Sequence, residues 1–160
     1  MSRRLRAVFD VNIWLYAFFG PDSEFPYLQS VPPATSNSSA DCLSLALDGD
    51  RFSVFTSPHI LTNIARVLRL EGVSEVNIKR TLEDFVDIVH LSQGSVLDPE
   101  RKEVHLVDHE DNFILDLLIS ANCDVLVTSD RELLANSGYK GRLFLSPRDF
   151  VRLALTITPE

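Results

Sequence analysis

Cysteine is nearly absent from this sequence: there are two, Cys42 and Cys123, far apart and without the close spacing of metal-binding pairs. That excludes a disulfide framework or a zinc–thiolate site and leaves each thiol as a small buried hydrophobe in a reducing compartment. Long apolar runs are absent too. None approaches the ~20 residues needed to cross a bilayer. The basic opening Arg3-Arg4-Leu5-Arg6 is followed by Asp10 and Asn12, which break the apolar stretch that a secretory signal requires. The expectation is a cytoplasmic protein with no membrane association. Basic residues are scarce as well: 15 Lys and Arg stand against 23 Asp and Glu, a net charge of −8. A surface that grips nucleic acid through phosphates is normally basic, so composition alone speaks for an acidic, solvated exterior. The alternative is that some carboxylates are gathered at a cation site, which only their placement can decide.

What is present is an ordinary soluble-domain composition, 45% hydrophobic over 160 residues, enough for one core. Short branched and aromatic runs at 5–9, 52–56, 104–107, 124–128 and 142–145 read as strands. Amphipathic stretches at 11–18, 40–48, 58–70, 74–91, 111–122, 130–136 and 147–155 read as helices. Ser57-Pro58 and Ser146-Pro147 each supply a cap followed by a proline suited to the first helical turn, and Ser74 opens a third capped helix. Strands alternating with helices predict a three-layer α/β/α domain on a central, mostly parallel five-stranded sheet. It spans 1–155 as a single domain. Residues 21–39, with four of the eight prolines, are read as a loop insertion.

In an open parallel sheet, ligands sit beyond the carboxyl ends of the strands. Asp10 follows the strand 5–9, and Asp130 follows Val125-Leu126-Val127-Thr128-Ser129. Either alone is accounted for as a helix cap; two in the same kind of position suggest a site. A third acidic group, Asp108-His109-Glu110-Asp111, precedes the helix from Asn112. Asp108 is the natural cap there, leaving Asp111 to face the strand ends, whereas Asp116, about 140° further round the helix, reads as solvated. Three converging carboxylates repel unless a cation joins them, and Mg²⁺ or Mn²⁺ held by aspartates suits phosphodiester cleavage. His59, His90, His105 and His109 share no metal spacing, and Trp14, Tyr16, Phe18 and Phe19 read as core or dimer surface.

These motifs resemble the PIN-domain family. Val8-Phe9-Asp10-Val11-Asn12 looks like its opening strand and aspartate, Asp108-His109-Glu110-Asp111-Asn112-Phe113-Ile114-Leu115 like its central acidic motif, and Asp124-Val125-Leu126-Val127-Thr128-Ser129-Asp130-Arg131-Glu132-Leu133-Leu134 like its third. Leu145-Ser146-Pro147-Arg148-Asp149-Phe150 is similar to the tail of the bacterial VapC-like toxin branch. The resemblance implies a Mg²⁺- or Mn²⁺-dependent ribonuclease acting on RNA, the toxin of a toxin–antitoxin pair, neutralised by a small antitoxin protein and forming a homodimer. It implies Asp10, Asp111 and Asp130 as metal ligands, and Asn12, Thr128 and Ser129 as groups that orient carboxylates or water. One departure stands out: on the helix Ser57-Pro58-His59-Ile60-Leu61-Thr62-Asn63, the family's glutamate is Asn63. An asparagine brings no charge and a shorter reach. The alternative is therefore a catalytically weakened PIN domain that binds RNA or a protein. A phosphatase of the haloacid dehalogenase type ranks behind both, because it needs Asp-x-Asp where this chain has Asp10-Val11-Asn12. Arg66, one turn beyond Asn63, reads as a solvated residue, with a phosphate contact as the functional reading.

Overall fold

A computed structural model describes residues 3–20, 35–106 and 109–160; the side chains of His109 and Glu110 lie outside that description. All seven predicted helices form. They are α1 (Val11–Phe19), α2 (Ser38–Asp48), α3 (Pro58–Leu70), α4 (Glu75–Leu91), α5 (His109–Ser120), α6 (Arg131–Ala135) and α7 (Pro147–Leu155). The capping residues explain where they start. Ser57, Ser74 and Ser146 each accept a hydrogen bond from the backbone amide three residues on, and Asn37 does the same for Ala40. The stretch read as a loop insertion thus ends by residue 37, with Ser38 and Ser39 already helical. Residues 21–34 of it lie outside the described part.

The strands are β1 (Leu5–Phe9), β2 (Phe52–Phe55), β3 (Val125–Val127) and β4 (Leu143–Leu145). They form one parallel sheet in the order β2-β1-β3-β4, with Val8 opposite Phe55 and Leu126, and Leu126 opposite Phe144. From β1 the chain goes first to one side and then to the other, so the strand order reverses between β1 and β3. On β1, Phe9 meets Phe150 of α7 with ring centroids 5.7 Å apart, while Arg6 donates to the Ala121 carbonyl at the end of α5. Positions 6 and 9 point to opposite faces of a strand, which puts α7 and α5 on opposite sides of the sheet. Phe9, Trp14, Phe52 and Phe150 fill the α7 side, all fully buried, and the indole N–H of Trp14 donates to the Phe9 carbonyl at 3.2 Å.

The sheet has four strands where the sequence predicted five. Residues 104–106 are not a strand, and Val107 is outside the description. Val104 is 85% exposed, and the segment's polar backbone is satisfied by α5 rather than by a neighbouring strand. Asp116 Oδ1 accepts the amides of Lys102 and Glu103 at 2.8 and 2.7 Å, and Asn112 accepts the Leu106 amide and donates to its carbonyl. The free edge of β2 is instead bordered by residues 95–97. Thr56 N donates to Ser95 O, and Leu97 N donates to Thr56 O. Gly94 allows that approach, since a Cβ there would sit 1.6 Å from the Val54 carbonyl oxygen. Among the described residues no helix is long and apolar enough to cross a membrane. Both cysteines are buried and free, with burial pushing the Cys123 thiol up to about 12 and raising Cys42 as well.

Candidate metal centre

The reversal of strand order leaves a crevice beyond the carboxyl ends of β1 and β3, the usual ligand position in such sheets. The Asp10 amide donates to the Val127 carbonyl at 2.9 Å, tying the two strand ends together. Asp10 is buried, 6% exposed, and its carboxylate is held from two sides. Oδ1 accepts from the Val11 amide at 2.7 Å, and Oδ2 accepts from the Thr128 hydroxyl at 2.8 Å. The same Thr128 oxygen accepts the Asp130 amide at 3.0 Å. One buried hydroxyl therefore fixes both acidic positions. Asp130 spends Oδ1 on the Glu132 and Leu133 amides at the start of α6, leaving Oδ2 without a partner among the described residues. The capping explanation holds for both aspartates, and it does not exhaust their acceptor capacity.

Burial raises the Asp10 carboxyl above its ordinary range, and the neighbouring Asp130 charge raises it further. The bonds from Thr128 and Val11 pull the other way without cancelling the shift. No Lys or Arg among the described residues pairs with either carboxylate. Two adjacent carboxylates, one desolvated and neither balanced by a cationic side chain, form an oxygen-only donor set that fits a hard divalent cation.

The other predicted residues are distributed unevenly around this pair. Asp111 occupies the first turn of α5, half-buried. Among the described residues no three of His, Cys, Asp and Glu stand close enough to hold a metal ion, so Asp10, Asp111 and Asp130 do not converge as one group. Asn112 and Asp116, one turn apart, tie α5 to the backbone of 102–106, and Asp111 precedes both at the start of that helix. Asp108, the expected cap, lies outside the described residues. Asn12 and Ser129 are exposed and make no hydrogen bond to the carboxylates among the described residues. They line a cavity of about 740 Å³ shared with Tyr16, Phe19, Pro147 and Arg148. Tyr16 and Phe19 are half exposed on that wall, while Trp14 is core.

Asn63 is half-buried on α3 and engaged at both ends of its amide. Nδ2 lies 3.1 Å from His59 Nε2, and Oδ1 accepts long bonds of 3.4 Å from Arg66 Nε and Nη2. Asp116, read as solvated, is 2% exposed and structural. The signal was available: it interrupts the apolar run Ile114-Leu115-Asp116-Leu117-Leu118, and an acid inside such a run is carried into the core with it. The bridge from His59 to Phe113 (ring centroids 4.6 Å) and the Arg101 guanidinium over the Phe113 ring (4.1 Å) had no signature in the spacing.

A comparison with curated proteins finds no match. The PIN domain family matches residues 6–132, which takes in β1 with Asp10, the α3 helix with Asn63, Asp111 and the β3–Asp130 turn. With that match over most of its length, the chain belongs to the PIN domain family.

Proposed function

We propose that this PIN domain is a divalent-metal-dependent endoribonuclease, with Asp10 and Asp130 as the core of the metal site and Asp111 as a third ligand. PIN domains are typically nucleases and bind RNA. The observation that carries the reading is the Asp10–Thr128–Asp130 unit at the switch point of the sheet. It places a desolvated carboxylate beside a second one, held rigidly and left electrostatically unbalanced. Mg²⁺ or Mn²⁺ in that position supplies Lewis acidity toward a phosphate oxygen and activates water for in-line attack. The chain's own contribution is positional. Thr128 and the Val11 amide orient Asp10, the start of α6 orients Asp130 through Oδ1 and leaves Oδ2 without a partner among the described residues, and the buried Val127 and Leu126 keep the carboxylates in a medium where their charge acts strongly. Asp111, in the first turn of α5, would be the third carboxylate to hold the cation.

The VapC-like motifs add the role of toxin in a cytoplasmic toxin–antitoxin pair, with a homodimer and a small antitoxin protein as partners. The half-exposed Tyr16 and Phe19 beside the cavity support it, giving a protein partner an apolar face to cover. A second reading is a weakened PIN domain that binds RNA without efficient cleavage. The engagement of Asn63 by His59 and Arg66, where the family resemblance expects a glutamate, favours it. Incubating the protein with a panel of RNAs in Mg²⁺, Mn²⁺ or EDTA separates the two. Metal-dependent cuts identify the nuclease; retention of RNA without cuts in any metal identifies the binding module.

A further inference from the structure

The polar stripe on α3 is tied within itself and to α5. His59, Asn63 and Arg66 follow one another at helical spacing along one face, covering about 10 Å at 1.5 Å per residue. Its first member contacts Phe113 of α5 edge to face. Both helices start at the carboxyl edge of the sheet, this contact joins them near their starts, and the stripe runs on along α3 from there. Arg101 lies over Phe113, 4.1 Å from the ring centroid. Two arginines are thus mounted around one aromatic–histidine contact, Arg66 through Asn63 and Arg101 through Phe113.

Neither arginine has a carboxylate partner among the described residues. Several other cations do have one: Arg69 pairs with Glu75, Lys140 with Glu103, Arg152 with Asp149; what sets Arg66 and Arg101 apart is that both are mounted around the one His59–Phe113 contact. The identity of residue 63 matters for this. A glutamate would form an ion pair with Arg66 and cancel its charge, whereas the neutral Asn63 carbonyl orients the guanidinium and leaves the charge intact. In a chain of net charge −8, two retained positive charges held around one contact between helices that start at the sheet's carboxyl edge are where a polyanion would be drawn.

We propose that Arg66 and Arg101, positioned by Asn63 and Phe113, form a phosphate-binding track for the backbone of the RNA strand, leading away from the Asp10–Asp130 centre. Guanidinium groups suit phosphate through paired N–H donors, and contacts of this type fix the register of a strand without reading its sequence. Residue 63 thereby serves substrate placement. The inference rests on the reading of RNA as substrate, but not on cleavage.

The test uses the full chain and a fluorescein-labelled single-stranded oligoribonucleotide in EDTA, so that binding is read without cutting, by anisotropy across a salt series. Arg66→Gln and Arg101→Gln should each weaken binding by about three- to tenfold and lower the salt slope by about 0.7, the amount for one phosphate contact on a single strand. Arg152→Gln, whose charge is already paired, should bind as wild type. The same oligonucleotide in DNA form should show the same arginine dependence, since the ligand is the phosphate; a dependence confined to one sugar type would overturn a backbone track. Unchanged affinity and slope for both arginine variants on RNA would also overturn it, even if the protein cleaves RNA well. If the variants behave as expected and no metal supports cleavage, the track stands and the nuclease reading fails.

Discussion

The Thr128 hydroxyl donates to Asp10 Oδ2 at 2.8 Å across the junction of β1 and β3. Because that hydroxyl also accepts the Asp130 amide, its removal disturbs both carboxylates together. Thr128→Val keeps the shape and deletes the bond, leaving a buried carboxylate oxygen without its donor. The expected loss is about 1–3 kcal/mol in urea unfolding, with weaker Mn²⁺ binding in the same variant. Thr128→Ser, which restores the hydroxyl, should recover most of both.

Asp10 itself should cost stability at neutral pH in the metal-free protein. Its folded-state pKa is raised, chiefly by burial. A carboxyl raised on folding stabilises the fold below its unfolded pKa, near about 3.9, and that contribution is lost as pH rises through the folded value. Asp10→Asn should therefore melt higher than wild type at pH 7 in EDTA, and the gap should close toward acid pH. With Mn²⁺ the order should reverse, because a cation bound only by the native wild type raises its melting temperature. A variant that melts lower than wild type by the same amount at every pH contradicts the electrostatic account of Asp10.

Asp116 latches the segment that sequence patterning assigned to a fifth strand. Asp116→Ala removes the acceptor of the Lys102 and Glu103 amides, and the expected destabilisation is roughly 2–4 kcal/mol for two bonds to a charged group. Those two amides should exchange with solvent much faster in the variant. Asp116→Asn retains the acceptor oxygen and should be milder on both measures.

Much of this was legible before the fold was known. The seven helices announced themselves through serine and asparagine caps and apolar periodicity, and the positions of Asp10 and Asp130 just beyond β1 and β3 made them candidates. The fifth strand was misread because Val104-His105-Leu106-Val107 has strand-like composition, while the groups that satisfy its backbone, Asn112 and Asp116, lie on a helix. Local pattern does not reveal a side chain that substitutes for a strand. Asn63 was singled out by the family resemblance; its contacts with His59 and Arg66 left no mark in the sequence, since the histidines share no metal spacing and Arg66 reads as solvated.

Those partners change what a restored glutamate would do. Asn63→Glu should pair with Arg66 before it serves a cation, so the single substitution should improve Mn²⁺ affinity little. Asn63→Glu combined with Arg66→Gln frees the new carboxylate and should bind Mn²⁺ more tightly than either single variant. Calorimetric Mn²⁺ titration of the four proteins gives the coupling directly. Equal gains with and without Arg66 would show that the arginine does not control residue 63.

The central claim is that Asp10 and Asp130 jointly hold the cation through which RNA is cut. It is tested most directly by cleavage of one RNA by wild type, Asp10→Asn and Asp130→Asn in Mn²⁺, with EDTA as control and circular dichroism confirming that all three are folded. The account predicts cleavage by wild type that EDTA abolishes, and at least about a hundredfold slower cleavage by each variant. Cleavage that survives EDTA, or variants that cut at the wild-type rate, would contradict it.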